Sequence, residues 1–168
     1  MQNWVIDSGH SEAQFKVRHL AVANVTGRFR VFQGEVVCNG EDFEGAEVRV
    51  VLSSDSLDTN NPQRDLHLKS ADFLDAEKYP EVVFVGVLSG GVFRGTLTIK
   101  DVSRPVELKA VHLGTGVGRF GDTRAGFEAE GIIRRKDFGL TWNVLAEGGG
   151  LVVGEEIRVN FDVEVVRK

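Results

Sequence analysis

Two short segments carry the residue types of a nucleophilic catalytic site. His10 and Ser11 are adjacent near the start of the chain, and Asp65 and His67 lie close together in a second segment. A serine activated by a histidine, which an aspartate orients, is the arrangement that attacks acyl groups. No Gly-x-Ser-x-Gly turn accompanies them, and Arg64 beside Asp65 is equally explained as a hydrogen-bonded tie between two structural elements. We predict no catalytic residues and keep an enzyme acting on an amphipathic substrate through these residues as the alternative.

The other residue types that bind metals or phosphates give weak signals. His19 and His112 stand apart from the other histidines, at spacings unlike those of a helical zinc motif, and Cys38 is the single cysteine. We therefore predict no metal site, no cofactor and no disulfide. The glycine-rich segment 114–118 lacks the lysine of a P-loop and opens no helical pattern, which favours a hairpin turn.

The segments that must position these residues alternate apolar and polar side chains with a period of two. Ala13, Phe15 and Val17 share one face of the first run, and Glu12 and Lys16 share the other. Each run has one polar face, which is typical of antiparallel sheets. A phase slip near residues 31–32 indicates a bulge or a corner. About eight runs are predicted, at 11–19, 25–38, 47–56, 82–87, 92–100, 106–113, 127–134 and 157–165.

The exception to this alternation lies in the segment 59–80. Asn61 followed by Pro62 fits a helix N-cap and a first helical residue, and the residues that follow contain no glycine or β-branched side chain. We expect a short helical insertion around residues 62–76, formed by one helix or by two. In the second case Ser70 caps the second helix.

Composition and charge narrow the classes of function. The 168 residues, 42% of them hydrophobic and 20 of them glycine, predict a single domain over residues 1–168 with a sizeable core. The net charge of −5 argues against nucleic acid or an anionic membrane as a partner. The longest run without a charge, 82–93, is shorter than the roughly 20 apolar residues of a membrane helix. No secretory signal is visible, so we expect a cytoplasmic protein, or a periplasmic one if a leader was removed.

Evenly spaced antiparallel strands favour an all-β fold, an extended eight-stranded antiparallel barrel, because closure removes exposed strand edges. A barrel of this size either fills with side chains or holds one small ligand. Gly27, Gly95, Gly131 and Ala129 fall in the apolar phase beside residues such as Phe15. These small residues either leave a cavity or make room for neighbouring phenylalanines, and both interpretations remain open.

An ordered set of motifs spans nearly the whole chain and resembles the YceI-like family of lipocalin-like proteins, which bind polyisoprenoid or other long-chain lipids. Two positions depart from the family pattern: Asp101 stands where glycine is usual, and Leu74 where a second phenylalanine is usual. The matching segments are Trp4-x-Ile6-Asp7-x-x-His10-Ser11, Gly27-Arg28-Phe29, Ser56-Leu57-Asp58-Thr59, Arg64-Asp65-Leu66-His67-Leu68, Ser70-Ala71-Asp72-Phe73-Leu74-Asp75, Gly95-Thr96-Leu97-Thr98-Ile99, Arg104-Pro105-Val106 and Arg135-Lys136-Asp137-Phe138-Gly139-Leu140.

The resemblance implies a lipocalin-like barrel that carries or sequesters a long-chain isoprenoid lipid, such as a polyprenyl phosphate, a quinone or a precursor. A fatty acid or fatty amide is the alternative ligand, and a homodimer is left open. A purely structural β-module would need a filled barrel. Strand parity and motif position together predict these cavity-lining residues: Phe15, Val17, Phe29, Phe73, Leu74, Phe84, Leu97, Ile99, Phe127, Ile133, Phe138 and Trp142.

The polar end of such a lipid needs hydrogen-bond donors, because burying it unpaired would cancel much of the gain from the chain. Arg64 and His67 lie in the predicted helical insertion, where backbone N–H groups also favour an anion. His10 joins them if the first strand begins at the same rim. We predict that the head group lies near the insertion, with these three residues as candidate donors.

Overall fold

The structure is a computed structural model that describes residues 1–20, 22–143 and 153–168. It confirms a predominantly β fold with one short α-helix. The elements are β1 (Gln2–Ile6), β2 (Glu12–His19), β3 (Ala23–Phe29), β4 (Phe32–Cys38), β5 (Glu47–Ser53), β6 (Leu57–Asp58), α1 (Pro62–Lys69), β7 (Glu81–Ser89), β8 (Val92–Ile99), β9 (Val102–Val117), β10 (Thr123–Arg134) and β11 (Val153–Arg167).

Eight antiparallel strands close the barrel, and three of them are interrupted. β1 and β2 pair with successive parts of β11 and act as one strand, broken by a 3-10 turn at Ser8–His10. β4 pairs with β1 and β3 pairs with β2, so β4 and β3 form the second interrupted strand. β5 pairs with β4 and β6 pairs with β3, and these two form the third. From β5 the order continues through β7, β8, β9 and β10 to β11, which closes on β1. The predicted barrel is therefore confirmed.

The predicted phase slip separates β3 from β4. Phe29 ends one strand and Phe32 begins the next, and both rings line the barrel interior. Val31, between them, is exposed. Residues 30 and 31 form the corner between the two strands, so both phenylalanine rings still face the interior.

The hairpin between β9 and β10 differs from the prediction. β9 continues to Val117, so most of the segment 114–118 is strand, and the turn is closed by the Gly118 N–H donating to the Asp122 carbonyl at 2.7 Å. Leu113 is the extra residue of a bulge, since Gly126 pairs with Gly114 while Phe127 pairs with His112. The segment looked like a loop because glycine at a bulge and glycine at a turn are alike in sequence.

The helical insertion is shorter than predicted. The Asn61 side chain accepts from the Arg64 N–H at 3.1 Å, as an N-cap does, and Pro62 is the first helical residue. Ser70 ends this helix and does not begin a second one, because its hydroxyl donates to the His67 carbonyl at 2.5 Å. Turns lead from there to β7. The described residues include no helix long and apolar enough to cross a membrane.

Candidate ligand cavity and its mouth

An apolar cavity of about 400 Å³ runs along the interior of the barrel. Its wall draws on both clusters of buried side chains, one around Phe43 and Phe127 and the other around Leu52 and Ile133. The cavity lies within the size range of small-molecule sites. The barrel is therefore not filled by its own side chains, as a purely structural module would require.

Phe43 closes one end of the cavity, and this end is called the floor. The residue lies in the loop between β4 and β5, has a φ of 61°, and is 1% exposed. Its ring lies 4.8 Å from the Phe127 ring, 5.1 Å from the Trp4 ring and 5.0 Å from the His112 ring, measured between centroids. Trp4 is therefore part of the core beneath the cavity and does not line it.

The wall contains most of the side chains predicted to face a ligand. The exception is Phe138, which lies in a 3-10 turn after β10 and packs at 2% exposure within the core cluster around Leu52 and Ile133. Because the strand has ended before that turn, its ring is not part of the cavity wall. The predicted residues that do line the cavity are Phe15, Val17, Phe29, Phe73, Leu74, Phe84, Leu97, Ile99, Phe127, Ile133 and Trp142.

The cavity has other lining residues that were not predicted from the sequence, although the alternation of inward and outward side chains along a strand indicates some of them. Ile157, Val159 and Phe161 alternate along β11 and all line the cavity, so the same rule that selected Phe15 applies to them. Arg135 also lines it, and only its place in a family-like motif marked it.

Glycines of the barrel strands make room for neighbouring aromatic rings. A Cβ atom at Gly27 would collide with the Phe15 ring, which lies over it from the paired strand. A Cβ at Gly86 would meet the Phe84 ring at 2.6 Å. These glycines therefore make room for phenylalanine rings, which is one of the two interpretations, and Ala129 is a small residue that lines the cavity.

An aromatic cluster stands at the other end of the cavity, which is called the mouth. His67 of α1, Phe73 and Trp142 have ring centroids 4.5–5.3 Å apart, and each lines the cavity. The His67 Nε2 atom lies 2.9 Å from an oxygen of Asp72, a carboxylate that is half exposed. The cluster joins α1 to the segment that follows β10.

Arg64 ties the helix to the barrel and also lines the mouth. Its Nε donates to the Thr59 hydroxyl at 2.8 Å, and its Nη2 donates to the Thr59 carbonyl at 2.7 Å. The Thr59 hydroxyl and N–H in turn donate to Asp65, at 2.5 and 2.9 Å. The structural tie considered for Arg64 and Asp65 is thus present, with Thr59 between them.

Arg135 is a charged residue at only 2% exposure. Its Nε donates to the Gly154 carbonyl at 2.7 Å, its Nη1 to those of Leu140 and Trp142 at 2.6 and 3.0 Å, and its Nη2 to that of Val153 at 3.3 Å. Burial lowers the pKa of Arg135, and the negative charge of Glu155 partly offsets this. The guanidinium holds the two sides of the β10–β11 connection together at the mouth.

The third head-group candidate, His10, lies elsewhere. The 3-10 turn between β1 and β2 places it on the outer surface, where its side chain is 66% exposed and its Nδ1 is 2.9 Å from Asp7. It does not line the cavity. The prediction was wrong because β1 and β2 form one interrupted strand, so residue 10 lies partway along the barrel wall and not at the rim.

Asp7 belongs to an ion-pair network on that outer surface, with Arg124 at its centre. The Arg124 guanidinium donates to Asp7 at 2.7 Å and to Glu164 at 2.5 Å, and it also contacts Asp122 at 2.7 Å. The hydrogen bond from Arg124, followed by that from His10, lowers the pKa of Asp7 to about 2. Asp7, His10 and Glu164 lie close enough for metal ligands, but the Arg124 guanidinium already pairs with both carboxylates.

The residues considered for nucleophilic catalysis do not assemble. The Ser11 hydroxyl donates to the Asp7 carbonyl at 2.7 Å, whereas Asp65 accepts from Thr59 and His67 contacts Asp72. Ser11 lies beside His10 on the outer wall, while Asp65 and His67 lie on α1. In the described part of the chain, no hydrogen bond joins the Ser11 hydroxyl to the ring of His10 or His67, so the catalytic hypothesis loses its geometric basis.

Comparison with known proteins gives a consistent result for the whole chain. A family model described as "YceI-like domain" matches residues 4–165. A UPF0312 protein of Pectobacterium carotovorum is 36% identical over 164 residues, covering 95% of this chain and 82% of that protein. Protein YceI of Salmonella newport is 37% identical over 137 residues, covering 79% of this chain and 72% of that protein.

Solved structures share the barrel. The Campylobacter jejuni YCEI protein has a TM-score of 0.72 and 28% identity, with 91% of each chain covered. BcnA of Burkholderia cenocepacia has a TM-score of 0.79 at 18% identity, covering 95% of this chain and 98% of that one. A polyisoprenoid binding domain from Saccharophagus degradans has a TM-score of 0.73 at 17% identity, with 98% of each chain covered. At the two lower identities the likeness concerns the fold alone.

Proposed function

This chain belongs to the YceI-like domain family, and on that basis we propose that its barrel binds a long-chain isoprenoid lipid and carries or sequesters it. The observation that carries the proposal is the apolar cavity, whose wall runs from the floor at Phe43 to the mouth at Trp142. The Saccharophagus degradans domain, described as polyisoprenoid binding, offers a precedent within the same fold.

The physical attraction is the removal of an apolar chain from water. Each buried CH₂ contributes about 0.8 kcal/mol, so one five-carbon isoprene unit contributes roughly 4 kcal/mol before ordering costs are subtracted. Because the floor is closed, the cavity accepts only a limited length of lipid chain. The protein can therefore select lipids by chain length. An apolar wall discriminates weakly between chains of equal bulk, and specificity must then come from the mouth.

Arg64 and His67 are the residues we propose for contact with the head group. Both line the mouth, and both carry N–H donors on a helix that is tied to the barrel through Thr59. The polar end of the lipid would stay beside these donors and beside solvent, while the chain extends toward Phe43. This orientation avoids burying an unpaired polar group.

The test is a chain-length series of prenyl alcohols offered to delipidated protein, with binding followed by native mass spectrometry. We expect one ligand per chain and an affinity that rises with each isoprene unit until the cavity is full. Fatty alcohols of matched length serve as competitors, and displacement by them at equal concentration identifies a general lipid-chain site. Absence of any bound prenyl chain at every length would overturn the proposal.

A further inference from the structure

The tip of the hairpin between β2 and β3 is apolar, although hairpin turns are normally polar or glycine-rich. The Val22 N–H closes the turn by donating to the His19 carbonyl at 3.1 Å. Leu20 has a φ of 52°, a backbone conformation that favours glycine or asparagine over leucine. Val22 is 80% exposed and Leu20 is 40% exposed. The turn between β7 and β8, by contrast, consists of Gly90 and Gly91. Folding alone therefore gives no reason for two aliphatic side chains at this tip.

This tip belongs to the rim of the cavity mouth. His19, at the base of the tip, pairs with Val153 of β11. The Asn143 Nδ2 donates to the Val153 carbonyl at 2.7 Å, and Asn143 follows Trp142, whose ring contacts that of His67 on α1. The hairpin tip and α1 are therefore parts of one continuous rim.

α1 adds a third exposed aliphatic side chain to this rim. Leu66 is 72% exposed, whereas His67 and Leu68, which follow it, line the cavity. Single exposed apolar residues are ordinary on a protein surface, but these project from separate elements that flank one opening. A fluid bilayer accepts such separate projections, whereas a protein partner needs a continuous complementary patch. The three side chains, Leu20, Val22 and Leu66, are called the rim aliphatics.

The outer wall next to the hairpin tip is basic. Lys16 and Arg18 are exposed on the face of β2 opposite to Phe15 and Val17. Arg158 of β11 is also exposed and pairs directly with Lys16, although like charges placed opposite each other destabilise a sheet. The ion pairs of the described residues include none of these three cations. Lys16, Arg18 and Arg158 are called the basic face.

The nearest acidic residue of this part of β11 does not offset the basic face. Glu156 is opposite Arg134 of β10, so these two charges offset each other. The net charge of −5, which argued against an anionic membrane as a partner, is a sum over the whole chain and does not describe this surface. At about 3.3 Å per residue, Arg18 lies about 7 Å and Lys16 about 13 Å along the strand from Leu20. Apolar groups enter a bilayer surface to a depth of about 5–10 Å, so these cations would stand level with the lipid phosphates.

We propose that the mouth end of the barrel docks on a membrane surface that contains anionic lipids. The rim aliphatics enter the boundary of the acyl chains, and the basic face contacts the phosphate groups beside them. Docking goes beyond the proposed function, because it needs no lipid in the cavity. It places the mouth against the layer of acyl chains, so that a lipid chain passes between bilayer and cavity without entering water.

The experiment is flotation of the full-length protein with vesicles of phosphatidylcholine alone or with about one-third phosphatidylglycerol. We expect binding to the mixed vesicles, and weaker binding as salt rises, because salt screens the charges. The double variant Leu20→Asn/Val22→Ser should bind at least about fivefold more weakly. Asparagine readily adopts the φ of residue 20, so the turn is retained. Lys16→Gln should weaken binding by at least about threefold.

Two control variants make matched changes far from the mouth. Phe120→Asn removes an apolar side chain that is 87% exposed at the tip of the β9–β10 hairpin, beyond the floor. Lys109→Gln removes an exposed charge from β9, where Lys109 pairs with Val92 at the start of β8. Both should bind the mixed vesicles within about twofold of wild type, because neither residue lies at the mouth.

The outcomes separate docking from lipid uptake. A wild-type protein that takes up prenyl chains but does not float with mixed vesicles would overturn the docking and leave the proposed function intact. Vesicle binding that the rim and charge variants leave unchanged, or that the controls reduce equally, would also overturn it. A dimer that the double variant dissociates, without any vesicle binding, would show that a second copy covers the tip and would contradict the proposal. If the double variant does not fold, Leu66→Ser decides the result.

Discussion

Leu97 is the position at which an added charge most directly tests the apolar wall. It lies on β8, pairs with Phe84 of β7 and lines the cavity, whereas its neighbour Thr96 faces outward and is exposed. Leu97→Arg puts a guanidinium where an apolar chain would lie. Thr96→Arg adds the same charge to the same strand on the outer face and serves as the control.

The magnitude follows from the chain that the new side chain displaces. If the arginine excludes three CH₂ groups from the cavity, the loss is about 2.4 kcal/mol, which corresponds to roughly 60-fold in affinity. Desolvating an unpaired charge adds to this loss. We therefore expect Leu97→Arg to bind a prenyl alcohol at least about 50-fold more weakly than wild type, and Thr96→Arg to bind within about twofold.

The assay is displacement of a fluorescent fatty-chain probe, with circular dichroism and thermal melting of each variant to establish that it is folded. Leu97→Trp, which fills space without adding charge, is the second variant and should shorten the longest chain accepted. A folded Leu97→Arg protein that binds prenyl alcohol within threefold of wild type would refute the assignment of β8 to the ligand wall.

Three further predictions concern the barrel itself. Gly27→Ala should destabilise the fold by about 1–3 kcal/mol because its Cβ collides with a phenylalanine ring, whereas Gly116→Ala, with nothing within 4 Å, should change urea unfolding little. Asp101→Gly should raise stability by roughly 0.5 kcal/mol, seen as a higher melting temperature, because Asp101 has a φ of 67°. The Asp7 carboxyl, with its pKa lowered to about 2 from 3.8, stabilises the fold above its unfolded pKa and loses that effect as pH falls between these values. Arg124→Met should therefore reduce the loss of stability on acidification, and an unchanged pH profile of urea unfolding would contradict this.

Much of the wall could be predicted because a closed antiparallel barrel obeys one rule along its length. Phe15 and Leu97 alternate with polar residues, and closure turns the face that carries them inward. The same rule fails where regular pairing stops. Phe138 lies in a 3-10 turn beyond β10, and His10 lies in the break between β1 and β2.

Other features depend on contacts between residues distant in sequence. Phe43 enters the floor from a loop, in a left-handed backbone conformation that no propensity favours for phenylalanine. Arg135 is buried because carbonyls on both sides of the β10–β11 connection converge on its guanidinium. The turn at Asp101, by contrast, could be located from the sequence, because aspartate stands there in place of the family's usual glycine. In the structure Lys100 and Asp101 have φ values of 52° and 67°, a backbone conformation that favours glycine.

The most direct test of lipid binding is organic extraction of the purified protein followed by mass spectrometry of the extract, with native mass spectra recorded before and after extraction. The account predicts a long-chain lipid in about equimolar amount, a mass loss on extraction equal to that lipid, and its recovery when prenyl lipid is added back. A protein that yields no lipid, and that takes up neither prenyl nor fatty chains when they are offered, would contradict it.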